Sequence, residues 1–292
     1  MTTKTLRDEI IAAVKKVPVI PTSGTRLLQV ANQADHNLSD IIAIIKCDAA
    51  LTGYILKTIN SAAMSRGREI TSLDRAVSLV GEDMILSIVL SDAAAQLFHT
   101  DLEGYAANQG DLWRHDLRSA IAAKKIAPYA REKVNPDTAF TGGLLHDLGK
   151  AIISHFLEGK IDAMVAAVDH GDFADYSGAE QQAVGLNHSE IGYELAKHWR
   201  LPEPLPSIIR HHHHPMEGDE TIRPLLFVVH LADIVSMMTG SGTGADTMRH
   251  QIDPAYTDFV DLSRDDIARI IFEVDIEFNT IMSSFPGEGE PE

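Results

Sequence analysis

The segment Phe140-Thr-Gly-Gly-Leu-Leu-His146-Asp147-Leu-Gly-Lys150 constrains the fold more than any other stretch of the chain. Its apolar residues Phe140, Leu144, Leu145, Leu148 and Ile152 recur at helical spacing, which predicts a buried helix over 137–156. The same helix carries three polar groups that a core does not accept unpartnered. Lys150 follows His146 by four residues and Asp147 by three, so it shares their side of the helix. An imidazole beside a carboxylate can ligate a divalent metal, and the ammonium one turn on can hold a phosphate oxygen. Asp147 and Lys150 are therefore the candidate catalytic residues.

Helical periodicity runs through the rest of the sequence, and no sustained alternation of period two interrupts it. Residues 4–16 place Leu6, Ile10, Ala13 and Val14 on one side, and the Pro18–Pro21 segment ends that helix. Thr22 and Ser23 are candidate caps for the next helix, Ser39 for residues 40–46, and Asp48 for a helix through Leu51, Ile55 and Ile59. Leu73, Ala76, Val77 and Val80 make another, broken at Gly81, and the pattern resumes over 82–98. From Asp111 the predicted helices are 111–130, 137–156, 158–170, 177–184, 187–199, 203–212, 222–239 and 263–284.

The run Thr239-Gly-Ser-Gly-Thr-Gly-Ala-Asp246 reads as a flexible loop. It lacks the Lys-Ser/Thr of a nucleotide-phosphate loop and follows a helix, so that reading fails. The expectation is an all-α protein: an N-terminal multi-helix layer (1–103) packed on a helical bundle carrying a metal site (104–285), with an acidic disordered tail (286–292).

Composition excludes several partners. Lys and Arg number 25 against 42 Asp and Glu, a net charge of −17, which argues against binding a nucleic-acid backbone. No stretch approaches the roughly 20 apolar residues of a membrane span. Cys47 is the one cysteine, and no apolar run follows the N-terminal charges. The expected compartment is the cytoplasm.

Fourteen histidines are too many to be ligands together. Five places stand out by context: His115 on a long helix, His146-Asp147, His188 in the first turn of a helix that Asn187 and Glu190 can cap, the run His211–His214, and Asp233 inside an apolar helix. His99, His155, His170, His198, His230 and His250 have no supporting neighbours and read as structural. Imidazoles and carboxylates converging from successive helices are how helical bundles build dinuclear metal sites. Oxygen and nitrogen donors suit iron or manganese, and their spacing leaves nickel and zinc open.

Ile45-Lys-Cys-Asp48-Ala-Ala-Leu51-Thr, Ile55-Leu-Lys, Asn60-Ser61-Ala and Ile70-Thr-Ser-Leu-Asp-Arg-Ala76-Val…Leu79-Val-Gly81 resemble the HDOD family, from about Val17 to about Pro215. HDOD proteins are regulatory relatives of the HD metal-dependent phosphohydrolases. The resemblance implies that His115, His146, Asp147, His188 and Asp233 are ligands of two metals, with Asp147 bridging. The adjacent family pair, Ile-x-x-His-His-x-Pro, falls on His212 and His213 when counted from Pro215 or Ile209, and on His211 and His212 when counted from Ile208. Asp111, one turn before His115, is a candidate for a third ion or a surface residue. The Gly-Tyr-Pro segment of the cyclic di-GMP phosphodiesterase branch does not follow the histidine run, where Met-Glu-Gly-Asp-Glu stands instead. The implied function is bacterial signal transduction through a protein partner. The alternatives are an active phosphohydrolase on a phosphorylated small molecule and a metal-free scaffold.

Overall fold

The computed structural model describes residues 3–282, apart from 19–21, 32, 34–36, 49–50, 57–58, 60–69, 83–84, 87, 90–96 and 98–99. Among the described residues there are helices, turns and two isolated bridges, Leu102 with Ala107 and Ala130 with Val260, but no strand. The all-α expectation holds.

The helix Asp111–Ile126 is the spine of the larger layer. It packs against Pro136–Leu145, Arg223–Met238 and Arg264–Met282. Helices His188–His198 and Leu205–His211 pair with each other and close the layer against Gly149–Leu157 and Pro136–Leu145. A smaller set, Thr22–Ala31, Leu38–Lys46 and Leu73–Val80, packs in chain order. The first helix, Thr3–Val14, lies on His188–His198 and Gly149–Leu157. Just beyond it, the Trp199 indole donates to the Pro18 carbonyl at 2.8 Å.

Local chemistry explains most boundaries. Asn37, and not the predicted Ser39, caps Leu38–Lys46, because Asn37 and Asp40 form a reciprocal capping box. Asp48 accepts from the Leu51 amide at 3.0 Å as expected. Gly81, at φ 81°, ends Leu73–Val80. The Asn60-Ser61 pair and the tail 286–292 lie outside the described residues.

Two expectations are corrected. The stretch 137–156 is not one helix: it ends at Leu145 and restarts at Gly149. The turn between them uses shorter spacings, Leu148 N to Leu145 O and Lys150 N to Asp147 O. The cause is non-local. Gly149 abuts the helix that starts at His188, so closely that a Cβ there would lie 1.9 Å from the His188 carbonyl oxygen. The second concerns apolar length. Glu220–Met238 is long and apolar enough to span a membrane, but 78% of its most apolar window is buried inside the fold. It is apolar all round because other helices surround it.

The Gly149 contact is testable. Alanine usually favours a helix over glycine by about 1 kcal/mol. Here backbone meets backbone and cannot yield, so Gly149→Ala should lose about 2–3 kcal/mol, the range of overpacked cores. A urea melt reads this as a lowered midpoint with unchanged slope. An unchanged or raised midpoint would contradict the close approach.

Candidate metal centre

The helix break at His146–Leu148 presents a buried His-Asp pair to the centre of the larger layer. Asp147 is fully buried, and each of its oxygens faces a different group of donors. On the Oδ2 side, His115 Nε2 stands at 3.4 Å and His146 Nε2 at 3.5 Å. Asp233 Oδ1 completes that group, 3.1 Å from His115 Nε2 and 3.7 Å from His146 Nε2. On the Oδ1 side, His188 Nε2 stands at 3.4 Å and His212 Nε2 at 3.6 Å. His188 Nε2 is in turn 3.4 Å from His212 Nε2 and 2.9 Å from His213 Nε2. Bonds of about 2.1 Å to one ion place neighbouring donors about 3.0–3.4 Å apart. Both groups approximate that spacing.

The imidazoles are aimed by what lies behind them. His115 Nδ1 donates to the Ser241 carbonyl, His146 Nδ1 to the Gly143 carbonyl and His212 Nδ1 to the Ile209 carbonyl, each at 2.8 Å. His188 Nδ1 donates to Glu180 Oε2 at 2.7 Å. A carbonyl can only accept, so the Nδ1 proton is fixed and Nε2 is the atom that faces inward, able to ligate wherever it carries no proton. Glu180 is itself held by the Tyr105 hydroxyl at 2.5 Å. Inside the cluster, His115 Nε2, His146 Nε2, Asp233 Oδ2 and Asp147 Oδ1 are buried and make no hydrogen bond, and Asp147 Oδ2 meets the Lys150 ammonium at 2.6 Å. Such orphaned atoms are costly in a core and are the donor set that a cation satisfies.

Charge is arranged to match. Burial would raise the carboxyl of Asp147, but the charges of His146 and Lys150 outweigh it and hold it well below the ordinary range. Asp233 follows the same pattern, with His115 and His146 outweighing burial. Burial would lower His115 and His146, yet Asp147 and Asp233 leave both raised. For His212 burial prevails and pushes it down to about 3; His213 is also pushed well down. His212 and His213 are thus neutral imidazoles beside a carboxylate, ready to ligate.

All seven residues put forward as ligands meet here: His115, His146, Asp147, His188, His212, His213 and Asp233. Of the four consecutive histidines, His212 and His213 face inward, His211 is partly buried, and His214 is exposed beside Asp175. Asp111 does not join them: it pairs with Arg114 at 2.8 Å and accepts from the Asn108 amide. Lys150 is held here by protein groups. Its ammonium is buried against Asp147 at 2.6 Å, Asp246 at 2.5 Å and Thr243 at 2.8 Å, so its three donors are engaged.

The loop expected to be flexible supplies two of those partners. Thr243 and Asp246 are buried, and His250 stacks on His213 with ring centroids 3.9 Å apart. His250, read as structural, therefore borders the centre. So does His230, which donates from Nδ1 to the His212 carbonyl at 2.8 Å. Asp116, Glu180 and Asp246 were not among the sequence candidates. Asp116 sits behind His146, 3.6 Å from its Nδ1, and burial raises its carboxyl.

Residues 17–215 match the HDOD domain family. An uncharacterized protein of Treponema pallidum (strain Nichols) is 28% identical over 80% of this chain, which spans 44% of that relative's length. An HDOD domain protein of unknown function from Geobacter sulfurreducens superposes with a TM-score of 0.69 at 24% identity, over 97% of this chain and 98% of that one. A candidate phosphohydrolase from Shewanella amazonensis SB2B superposes with a TM-score of 0.55 at 20% identity, over 94% of each chain.

The orienting carboxylate gives a prediction. Glu180→Ala should weaken metal binding about 10- to 100-fold, as loss of a carboxylate behind a ligating histidine does. Glu180→Gln, whose amide oxygen still accepts, should recover part of it. Competition with a chelating dye measures this, and equal affinity in all three proteins would contradict the role given to Glu180.

Proposed function

The chain belongs to the HDOD domain family, and we propose that it is a bacterial signalling protein that retains an HD-type dinuclear metal centre and acts through a protein partner. The observation that carries this reading is the division of donors about Asp147, one oxygen to each group, with buried atoms on both sides that lack hydrogen bonds. His115, His146, Asp233 and Asp147 would hold one ion; Asp147, His188, His212 and His213 would hold the other. Iron or manganese suits this oxygen and nitrogen set, with nickel and zinc as alternatives.

Closure favours a regulatory over a hydrolytic role. The ligands are buried, and Lys150 is tied to Asp246 and Thr243. The surface of residues 17–100 is the proposed partner face, and the acidic net charge suits a basic partner. The cytoplasm is the proposed compartment.

The second reading is a phosphohydrolase or phosphodiesterase acting on a phosphorylated small molecule. It is favoured by the same donor groups: a bound metal pair supplies a hydroxide nucleophile and offsets charge at phosphorus. In that reading Asp147 keeps its carboxylate ionised under the influence of His146 and Lys150, and Lys150 must leave Asp246 before it can hold a phosphate oxygen. A metal-free scaffold is the reading least suited to so many buried polar atoms without hydrogen bonds.

Elemental analysis of untagged protein tests the metal centre. The wild type should carry about two equivalents of transition metal and folded Asp147→Ala should carry almost none. Protein that holds no metal, and takes up none when it is added, would overturn the proposal. Uptake should also release protons. His115 and His146 are raised in the metal-free protein and must shed the Nε2 proton to ligate, so affinity should rise as the pH is taken upward through and beyond the ordinary imidazole range. An affinity independent of pH would contradict their place as ligands.

A further inference from the structure

A second site lies on the outer side of the segment that covers the centre. After the Arg223–Met238 helix the chain crosses the layer through residues 239–250. Its inner side holds Lys150 through Asp246 and Thr243, and receives His115 Nδ1 at the Ser241 carbonyl. Its outer side lines a partly open cavity of about 350 Å³ together with Ala106, Ala107, Asp111 and Arg114. That volume is at the lower end of small-molecule sites.

Two features of this cavity select an anion. Arg114 is its one cationic lining residue, and its guanidinium is partly exposed. Among the described residues, the consecutive amides of Ser241, Gly242, Thr243 and Gly244 meet no protein acceptor, whereas Gly240 and Ala245 on either side donate to Met237 and Tyr105. Runs of unpaired amides around positive-φ glycines form anion-binding concavities, and Gly240 and Gly244 stand at φ 84° and 96°. The loop is fixed by close packing, since Gly244 leaves no room for a Cβ against the Tyr105 carbonyl.

We propose that this cavity binds the phosphate group of a small molecule between the Arg114 guanidinium and the amides of Ser241, Gly242 and Gly244. Arg114 Nη2 donates to Asp111 at 2.8 Å and to the Gln109 carbonyl at 3.4 Å, and the other N–H groups of the fork serve the ligand. The site is distinct from the buried donors, which lie on the far side of the same segment. Its occupancy is transmitted inward because the backbone that would hold the phosphate also carries the Ser241 carbonyl on His115 and the Asp246 carboxylate on Lys150. This gives the signalling protein proposed above an input for a phosphorylated metabolite.

The test is calorimetric titration of the full chain, freed of metal by chelator, with inorganic phosphate and with a nucleoside monophosphate. One equivalent of at least one probe should bind. Arg114→Ala should weaken it about tenfold or more, and Asp111→Asn, which removes a competing charge, should tighten it. Hydrogen exchange at residues 241–244 should slow on binding. Binding that needs the metal would assign the phosphate to the buried centre and overturn the proposal. So would binding unaffected by Arg114→Ala, or none by either probe at millimolar concentration. Because the titration uses metal-free protein, a failed metal centre and a failed anion site give separate results.

Discussion

One buried carboxylate governs the larger layer. Asp147 has no solvent exposure, and its two oxygens face two sets of imidazoles brought from different helices. A carboxylate taken out of water needs compensating charge. Here His115, His146 and Lys150 supply it, and a cation held by the same donors would take over that part from the imidazole protons. The helix Asp111–Ile126 brings His115, the helix break brings His146, His188–His198 begins with His188, and Leu205–His211 leads into His212. The packing of these helices is thus also the assembly of the donor set.

Precision comes from the residues behind the donors. Three imidazoles are aimed by backbone carbonyls and one by Glu180, so the orientation of each ring is tied to the secondary structure near it. His115 is the exception in origin: its carbonyl comes from Ser241, 126 residues away, in the segment that also covers Lys150. Any movement of that segment changes both the aim of a ligand and the partners of the ammonium. A cluster built this way is protected from solvent and sensitive to one segment of the chain.

Much of this was legible in the sequence, and the remainder has a common cause. Helices announce themselves by a period that depends only on neighbours, so the rough bounds of most of them follow from apolar spacing. The candidate ligands were visible because histidine and aspartate inside apolar helices, such as Asp233, need a reason to be there. The break after Leu145 was not visible, because the apolar pattern continues through it and its cause is contact between Gly149 and the His188 helix. Glu180 and Asp246 were missed for the same reason: each resembles a surface acid until the fold places it against His188 or Lys150. Likewise Thr239–Asp246 has the composition of a loose loop, but Tyr105, His115 and Lys150 fix it from elements distant in sequence.

Anomalous diffraction from crystals of metal-loaded protein tests most directly the proposal that Asp147 stands between two cations. Data on either side of the absorption edge of the bound metal should show two peaks, one against each Asp147 oxygen, with His115, His146 and Asp233 around the first and His188, His212 and His213 around the second. A single peak that leaves one group of imidazoles unligated would reduce the centre to one ion. Peaks elsewhere on the acidic surface, with none at Asp147, would contradict the account.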